Sequence, residues 1–219
     1  MVAAVGNIQG KRLLDVGCGA GIHAKYYVQQ RGIVSGIDIS KTMIQLARKN
    51  CPKAEFKIGE IANIPYPNDY FDVITASLMV NYASNLKEAF LEVNRVLKKG
   101  MFFYYSNEGV IASASESKRN SRFEFRFAGY IKDKLKNKIM VLGNTSEEII
   151  KKIEIVPKME VISYRRSLKE HVKAIVGGGF ELIDILDCNP LPELKKYDPQ
   201  FYNICSKIPY CNIYVCRKK

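Results

Sequence analysis

The chain has 219 residues, with 34 lysines and arginines against 22 aspartates and glutamates and a formal net charge of +12. With 47% hydrophobic and 26% charged residues it has the composition of an ordinary globular domain, which excludes wholesale disorder and a collagen-like chain. Its longest uncharged stretch, residues 73–86, has 14 residues and is too short to span a bilayer, so no membrane partner is expected.

The length points to one domain over residues 1–219, with room for an insertion. No basic segment leads an apolar run in the first ten residues, so a cytoplasmic protein is expected. The positive charge opens a nucleic-acid reading. The excess is spread, however, at +5 over residues 1–106 and +7 over residues 107–219. Six cysteines without a C-x-x-C pair, in a chain with only two histidines, are expected to be reduced thiols and not a metal centre.

In chain order, residues 12–16 (RLLDV) form a short apolar run ended by Gly17, Gly19 and Gly21, the pattern of a buried strand entering a tight turn before a helix. Residues 33–38 (IVSGID) repeat the strand pattern, and Ser40 is placed to cap the next helix. Residues 55–58 form a third strand, Pro65 and Pro67 mark a loop, and residues 71–76 (FDVITA) form a fourth strand rich in β-branched side chains. Asn85 with Glu88 opens a helix whose Leu86, Phe90, Val93 and Leu97 share a face, with Gly100 as its stop and residues 101–105 as a fifth strand.

The alternation breaks over residues 107–163, which are expected to be an insertion covering the site. Within it, Thr145 with Glu148 predicts a helix start, and the alternating Phe123, Phe125 and Phe127 predict a strand with one aromatic face. Ser167 with Glu170 caps a late helix, stopped by the glycines at 177–179. Residues 180–187 and 210–216 are then two terminal strands, expected to pair antiparallel. Strands alternating with helices at this spacing predict an α/β fold. We expect a doubly wound, mainly parallel seven-stranded sheet with an antiparallel last strand, in a three-layer αβα sandwich.

The segment DVGCGAG closes the first strand and opens the first helix. Glycine there lets backbone approach a ligand, and the helix N-terminus offers free N–H groups to an anion. A dinucleotide fingerprint would need a third glycine at position 22, where Ile22 stands, and Asp15 would set a carboxylate beside a pyrophosphate. A ligand carrying a cation and a carboxylate, such as an amino-acid moiety, fits better. Asp38, at the end of the second strand, is placed to accept hydrogen bonds from ribose hydroxyls. Glu60, past the third strand, could accept from an adenine amino group, with Ile61 against the ring.

LDVGCGAG, GIDIS, IGEIANIPYPNDYFDVI and LKEAFLEVNRVLKKG, in this order, resemble a class I S-adenosylmethionine-dependent methyltransferase of the subgroup acting mainly on small molecules. The likeness covers residues 13–106 well and the late helix and sixth strand more weakly. It implies S-adenosylmethionine as methyl donor, with S-adenosylhomocysteine as product, and a small-molecule acceptor. Asp15, Gly17 and Gly19 would hold the methionine end, Asp38 the ribose, Ile39, Glu60 and Ile61 the adenine, and Ala76 and Ser77 the region near the methyl group.

Glu60 stands where the family more often has Asp, Asn81-Tyr82 where it often has His, and Lys99-Gly100-Met101 where Pro-Gly-Gly is usual. Tyr82 is a candidate for acceptor contact and His23 for proton transfer, while His171, between Lys169 and Lys173, is expected at the surface. Two alternatives stand beside this expectation: methylation of RNA, and non-catalytic binding of an adenosyl ligand.

Overall fold

The computed structural model of the chain describes residues 1–109, 129–133, 138–142, 148–156 and 159–219. Seven strands form one sheet: β1 (Arg12–Val16), β2 (Ile33–Asp38), β3 (Glu55–Ile58), β4 (Phe71–Ser77), β5 (Leu97–Glu108), and the late β10 (Phe180–Asp187) and β11 (Cys211–Lys218). Their spatial order is β3-β2-β1-β4-β5-β11-β10. The first five pair in parallel, whereas β11 lies antiparallel between β5 and β10. Two antiparallel hairpins, β6 (Gly129–Asp133) with β7 (Lys138–Leu142) and β8 (Ile149–Val156) with β9 (Met159–Arg165), lie between β5 and the late helix in sequence.

The helices are α1 (Val2–Val5), α2 (Ile22–Gln29), α3 (Lys41–Asn50), α4 (Leu86–Val96), α5 (Leu168–Gly177) and the short α6 (Leu194–Tyr197) and α7 (Pro199–Cys205). Three start where their caps direct: Ser40 accepts from the Met43 N–H, Asn85 from Glu88 and Ser167 from Glu170.

Alternation along the strands sends the core to both sides of the sheet. Leu14, Val16, Ile74, Ala76 and Phe103 pack with Phe90, Val93, Ala174 and Ile175 of α4 and α5. Leu13, Val34 and Val73 pack on the opposite side with Ala24 and Tyr27 of α2 and Ile44 and Ala47 of α3. This gives the expected three layers, α on β on α.

Two expectations change. Thr145 lies outside the described residues, but from Ile149, where Thr145 with Glu148 predicts helix, the chain is strand β8, because it pairs with β9 and tertiary pairing overrides a local cap signal. Gly100 does not end a helix: α4 passes directly into β5 at Leu97, and Gly100 lies at an irregularity in the β4–β5 register. Strand β5 runs to Glu108 and β9 to Arg165, so the stretch 107–163 has strand at both of its ends. The predicted strand of Phe123, Phe125 and Phe127 lies outside the described residues.

Candidate active site

After β1, β2 and β3 step to one side of the sheet, β4 and β5 continue on the other, which leaves a crevice at the carboxyl ends of β1 and β4. The chain leaves β1 through a glycine turn pinned by two contacts to the end of β2. The Cys18 N–H donates to the Ile37 carbonyl at 2.9 Å and the Gly19 N–H to Asp38 Oδ2 at 3.0 Å. Asp38 Oδ1 takes the Ser40 N–H at 2.9 Å. Asp38 thus ties the glycine turn to the head of α3, and each oxygen keeps a further lone pair for a ligand.

Two glycines of the turn are required by geometry. Gly17 has φ +66°, and a Cβ there would lie 2.8 Å from two carbons of the Met79 side chain. Gly21 has φ +77°, and a Cβ there would meet the Ala47 backbone at 3.1 Å, so α2 could not pack on α3 at this distance. Only the first was anticipated as a ligand position; the second is a packing requirement.

Asp15 is 2% exposed. The Thr75 hydroxyl donates to its Oδ1 at 2.9 Å, while Oδ2 is buried with no hydrogen-bond partner. Burial raises its pKa to about 7, against the lowering effect of Thr75 and with a smaller rise from Asp38. A carboxylate left in this state is matched by a cation arriving with the ligand. The neighbouring Cys18 and Tyr27 are pushed well above their ordinary values, first by their own burial and then by Asp15.

Beyond β3, Glu60 is exposed and bridges to Asn63. Its loop is held from α4: Glu92 accepts the Ile64 N–H at 2.9 Å, and Arg95 donates to the Ile64 and Tyr66 carbonyls, both at 2.9 Å. Sequence reasoning missed this Glu92–Arg95 clamp, although their i, i+3 spacing on a helix was a visible signal. Ile61 is in the core, so its side chain is not the apolar wall expected. Two isoleucines are instead exposed nearby: Ile39, 72% exposed just past β2, and Ile58, 55% exposed at the end of β3. Ile58 was not anticipated.

After β4, Ala76 is fully buried and Ser77 hydrogen-bonds Ser106 of β5, hydroxyl to hydroxyl, at 3.3 Å. Leu78 adopts φ +52°, with its N–H donating to the Ser106 hydroxyl at 3.0 Å, and the kink carries Met79 over Gly17. Tyr82, in a 3-10 turn (Val80–Tyr82), is exposed beside this crevice-facing segment. His23, in the first turn of α2, is half-buried near the Tyr27 ring; burial first, and the N-terminal ammonium second, lower its pKa.

His171 is not at the surface: it is 1% exposed. Its Nδ1 is 3.2 Å from the Tyr105 hydroxyl and its Nε2 2.8 Å from the Asn107 amide, and its ring stacks on Tyr105 and Tyr214. The helical face of Leu168–Gly177 that carries Ala174 and Ile175 into the core carries His171 with it. Burial first, and Arg166 second, depress its pKa to about 4, so it is a neutral wedge with both nitrogens engaged, not a free base. Arg166, whose side chain is 6% exposed, donates to the Ala83 and Ser84 carbonyls at 2.8 and 2.9 Å and pairs with Glu148 at 3.0 Å. It is a strut beneath the segment after β4.

No helix among the described residues is long and apolar enough to cross a membrane. Two depressions lie elsewhere, one at the amino ends of the strands by Arg12, Ser35 and Glu55 and one on α2 by Ile22 and Tyr26. We place the site by the chemistry at the carboxyl ends, because strand topology and the unpaired carboxylate converge there.

The family model described as a methyltransferase domain matches residues 14–105. Malonyl-[acyl-carrier protein] O-methyltransferase of Serratia marcescens is 30% identical over 97 residues, which are 44% of this chain and 38% of that enzyme. Demethylmenaquinone methyltransferase of Renibacterium salmoninarum is 31% identical over 100 residues, 46% of this chain and 42% of that enzyme. The chain therefore spans about two fifths of the length of these curated relatives. An S-adenosylmethionine-dependent methyltransferase from Mesorhizobium loti superposes with a TM-score of 0.77 at 20% identity, covering 99% of this chain and 95% of that one. The matched segment contains the glycine turn, Asp38, Glu60 and the end of β4, and residues 14–105 resemble a methyltransferase domain, within a seven-stranded sheet that shares the fold of the Mesorhizobium loti protein.

Proposed function

We propose that the chain is a methyltransferase that takes S-adenosylmethionine as donor and methylates a small-molecule acceptor. The observation that carries this is the pairing, at one crevice, of a buried carboxylate with an unpartnered oxygen (Asp15) and a second carboxylate (Asp38) tied to the glycine turn. Asp15 would neutralise the amino acid's ammonium, with Gly17 and Gly19 giving close backbone approach. Asp38 would take the ribose hydroxyls, Ile39 and Ile58 would flank the adenine ring, and Glu60 would accept from its amino group. Ile61 would serve from the core beneath, and Ala76 and Ser77 would border the methionine chain. When bound, the donor supplies an electrophilic methyl on sulfur, so the protein's work is orientation and exclusion of water.

Tyr82 is the assigned acceptor contact, because it is exposed just past β4. His23 is the remaining candidate for moving an acceptor proton, since both nitrogens of His171 are occupied. A small-molecule acceptor accords with the names of the two curated relatives. The whole chain would act as one domain, with the segment 107–163 on the acceptor side and, from six free cysteines, a reducing cytoplasmic setting.

Titration calorimetry with S-adenosylmethionine, S-adenosylhomocysteine and NAD tests the donor site. Micromolar binding of the adenosyl pair without NAD is expected, and absence of adenosyl binding would end the proposal. Turnover against a panel of small acceptors and RNA then separates the enzyme from a non-catalytic adenosyl binder, and turnover on RNA alone would replace the acceptor class.

A further inference from the structure

The cross-strand cysteines Cys188 and Cys211 have no part in the site above. Residues pair along β10 and β11 up to Asp187 opposite Asn212, and the next residues outward are Cys188 and Cys211. The Cys188 N–H donates to the Cys211 carbonyl at 3.0 Å, so the antiparallel ladder continues through this pair. Directly opposed residues in such a ladder have Cα atoms roughly 4.5–5.5 Å apart, inside the range a disulfide spans. Both cysteines are half-buried, reachable by a small thiol reagent, while Cys18, Cys51, Cys205 and Cys216 are buried.

We propose that Cys188 and Cys211 form a reversible dithiol–disulfide site, oxidised by low-molecular-weight disulfides of the glutathione class. The inference is independent of the methyltransferase reading. Cys188, the thiol that its neighbour Cys211 and the N-terminal ammonium shift down against burial and Asp187, is the attacking one. Cys211 is pushed far up by the same contact, by burial, and by the charges of Cys188 and Cys205.

The Cys188 thiolate attacks one sulfur of the oxidised small disulfide, forming a mixed disulfide and expelling one small thiolate. Cys211 then gives up its proton to solvent and attacks Cys188 Sγ, expelling the second small thiolate. Two protein thiols are oxidised to one disulfide as one small disulfide is reduced to two thiols. The bond closes a loop over the 22 residues 189–210, which contain α6 and α7. It also fixes β11 where Gly109, at the exit from β5, donates to the Tyr210 carbonyl at 2.8 Å.

The test incubates the reduced full chain at pH 7.5 with oxidised glutathione, alkylates the remaining thiols and maps the product by peptide mass spectrometry. Loss of two of six thiols is expected, with fragment ions joining Cys188 to Cys211 and leaving Cys216 of the same tryptic peptide alkylated. The Cys211→Ser variant should stop at a glutathione adduct on Cys188, and Cys205→Ser should still form the bond. Oxidised chain should resist proteolysis within 189–210 severalfold longer than reduced chain. A stable glutathione adduct on wild-type Cys188, a bond from Cys188 to Cys205, or six intact thiols would each overturn the proposal.

Discussion

The two halves of the sheet are built by different means. From β1 to β4 each strand is followed by its own crossover, and each feature of the candidate site is set within a few residues of a strand end. From β5 outward the order is β5-β11-β10, and the chain must reach Cys211 before β11 enters between its neighbours. The buried ionisable groups follow the same division. Asp15 in the first half is held proton-rich by burial, whereas His171 in the second is kept neutral by burial and Arg166 and is hydrogen-bonded to partners 64 and 66 residues away. Local construction yields a recognisable ligand site; long-range construction yields a frame whose polar groups serve each other.

The largest expected effect strikes the first half alone. Replacing Asp38 by Ala removes the acceptor of the Gly19 and Ser40 N–H groups and the proposed ribose partner. Two charge-assisted hydrogen bonds at roughly 1.5–3 kcal/mol each put the loss of S-adenosylhomocysteine affinity at about 100-fold or more. Circular dichroism should remain native, because the two released N–H groups sit at a half-exposed turn. Calorimetry returning wild-type affinity in a folded variant would remove Asp38 from the site.

The same contrast explains what the sequence disclosed. The glycine turn, Asp38, the caps at Ser40, Asn85 and Ser167, and the first four strands all follow from neighbours in sequence, and the strand starts at 12, 33, 55 and 71 were legible. His171 was not, because Lys169 and Lys173 beside it announce a solvated face while the turn of α5 that also buries Ala174 decides its position. Thr145 with Glu148 carried a helix signal that strand pairing cancelled. Ile61 was expected against the adenine and Ile58 was not anticipated, for a similar reason: packing on the core, not adjacency to Glu60, determines which side chain stays exposed.

Asp15 and His171 make the comparison measurable by pH. The folded pKa of Asp15, about 7 against 3.8, is raised, so its contribution to stability is present at low pH and lost as pH rises through 7. That of His171, about 4 against 6.5, is depressed, so the folded form is favoured above 6.5 and loses about 3 kcal/mol at most as pH falls to 4. The two slopes oppose each other between pH 4 and 6.5. Asp15→Asn should therefore steepen the loss of stability on acidification and raise the thermal midpoint at pH 8 by several degrees, while weakening S-adenosylmethionine binding about tenfold at that pH. A midpoint at pH 8 equal to the wild type would show that Asp15 is not the strained carboxyl inferred here.

His171→Phe keeps the stack on Tyr105 and Tyr214 but strands the Tyr105 hydroxyl and the Asn107 amide, at a cost of about 2 kcal/mol at pH 7. The urea midpoint should then exceed its pH 7 value at pH 5 by more than in the wild type, because the Asp15 slope is no longer opposed. Affinity for S-adenosylhomocysteine should not change, because the second half frames the site without entering the donor crevice. A large loss of affinity in this variant would erase the division between the halves.

The smallest effect lies at the seam, where Leu78 follows β4 in a left-handed conformation and donates its N–H to Ser106 of β5. A leucine at φ +52° costs about 1 kcal/mol of strain, which a glycine would relieve; the greater freedom of glycine in the unfolded chain cancels roughly the same amount. Leu78→Gly should therefore leave the thermal midpoint nearly unchanged, whereas Leu78→Ala keeps the strain without the side chain and should be slightly less stable. Both remove a half-exposed apolar surface beside the crevice, and losing part of a leucine's burial on ligand binding, about 0.7 kcal/mol, gives a roughly threefold weaker S-adenosylhomocysteine complex. The paired variants separate the two roles: equal weakening with unequal stability assigns the conformation to the β4–β5 frame and the side chain to the ligand, and unweakened binding in both would move Leu78 wholly to the frame.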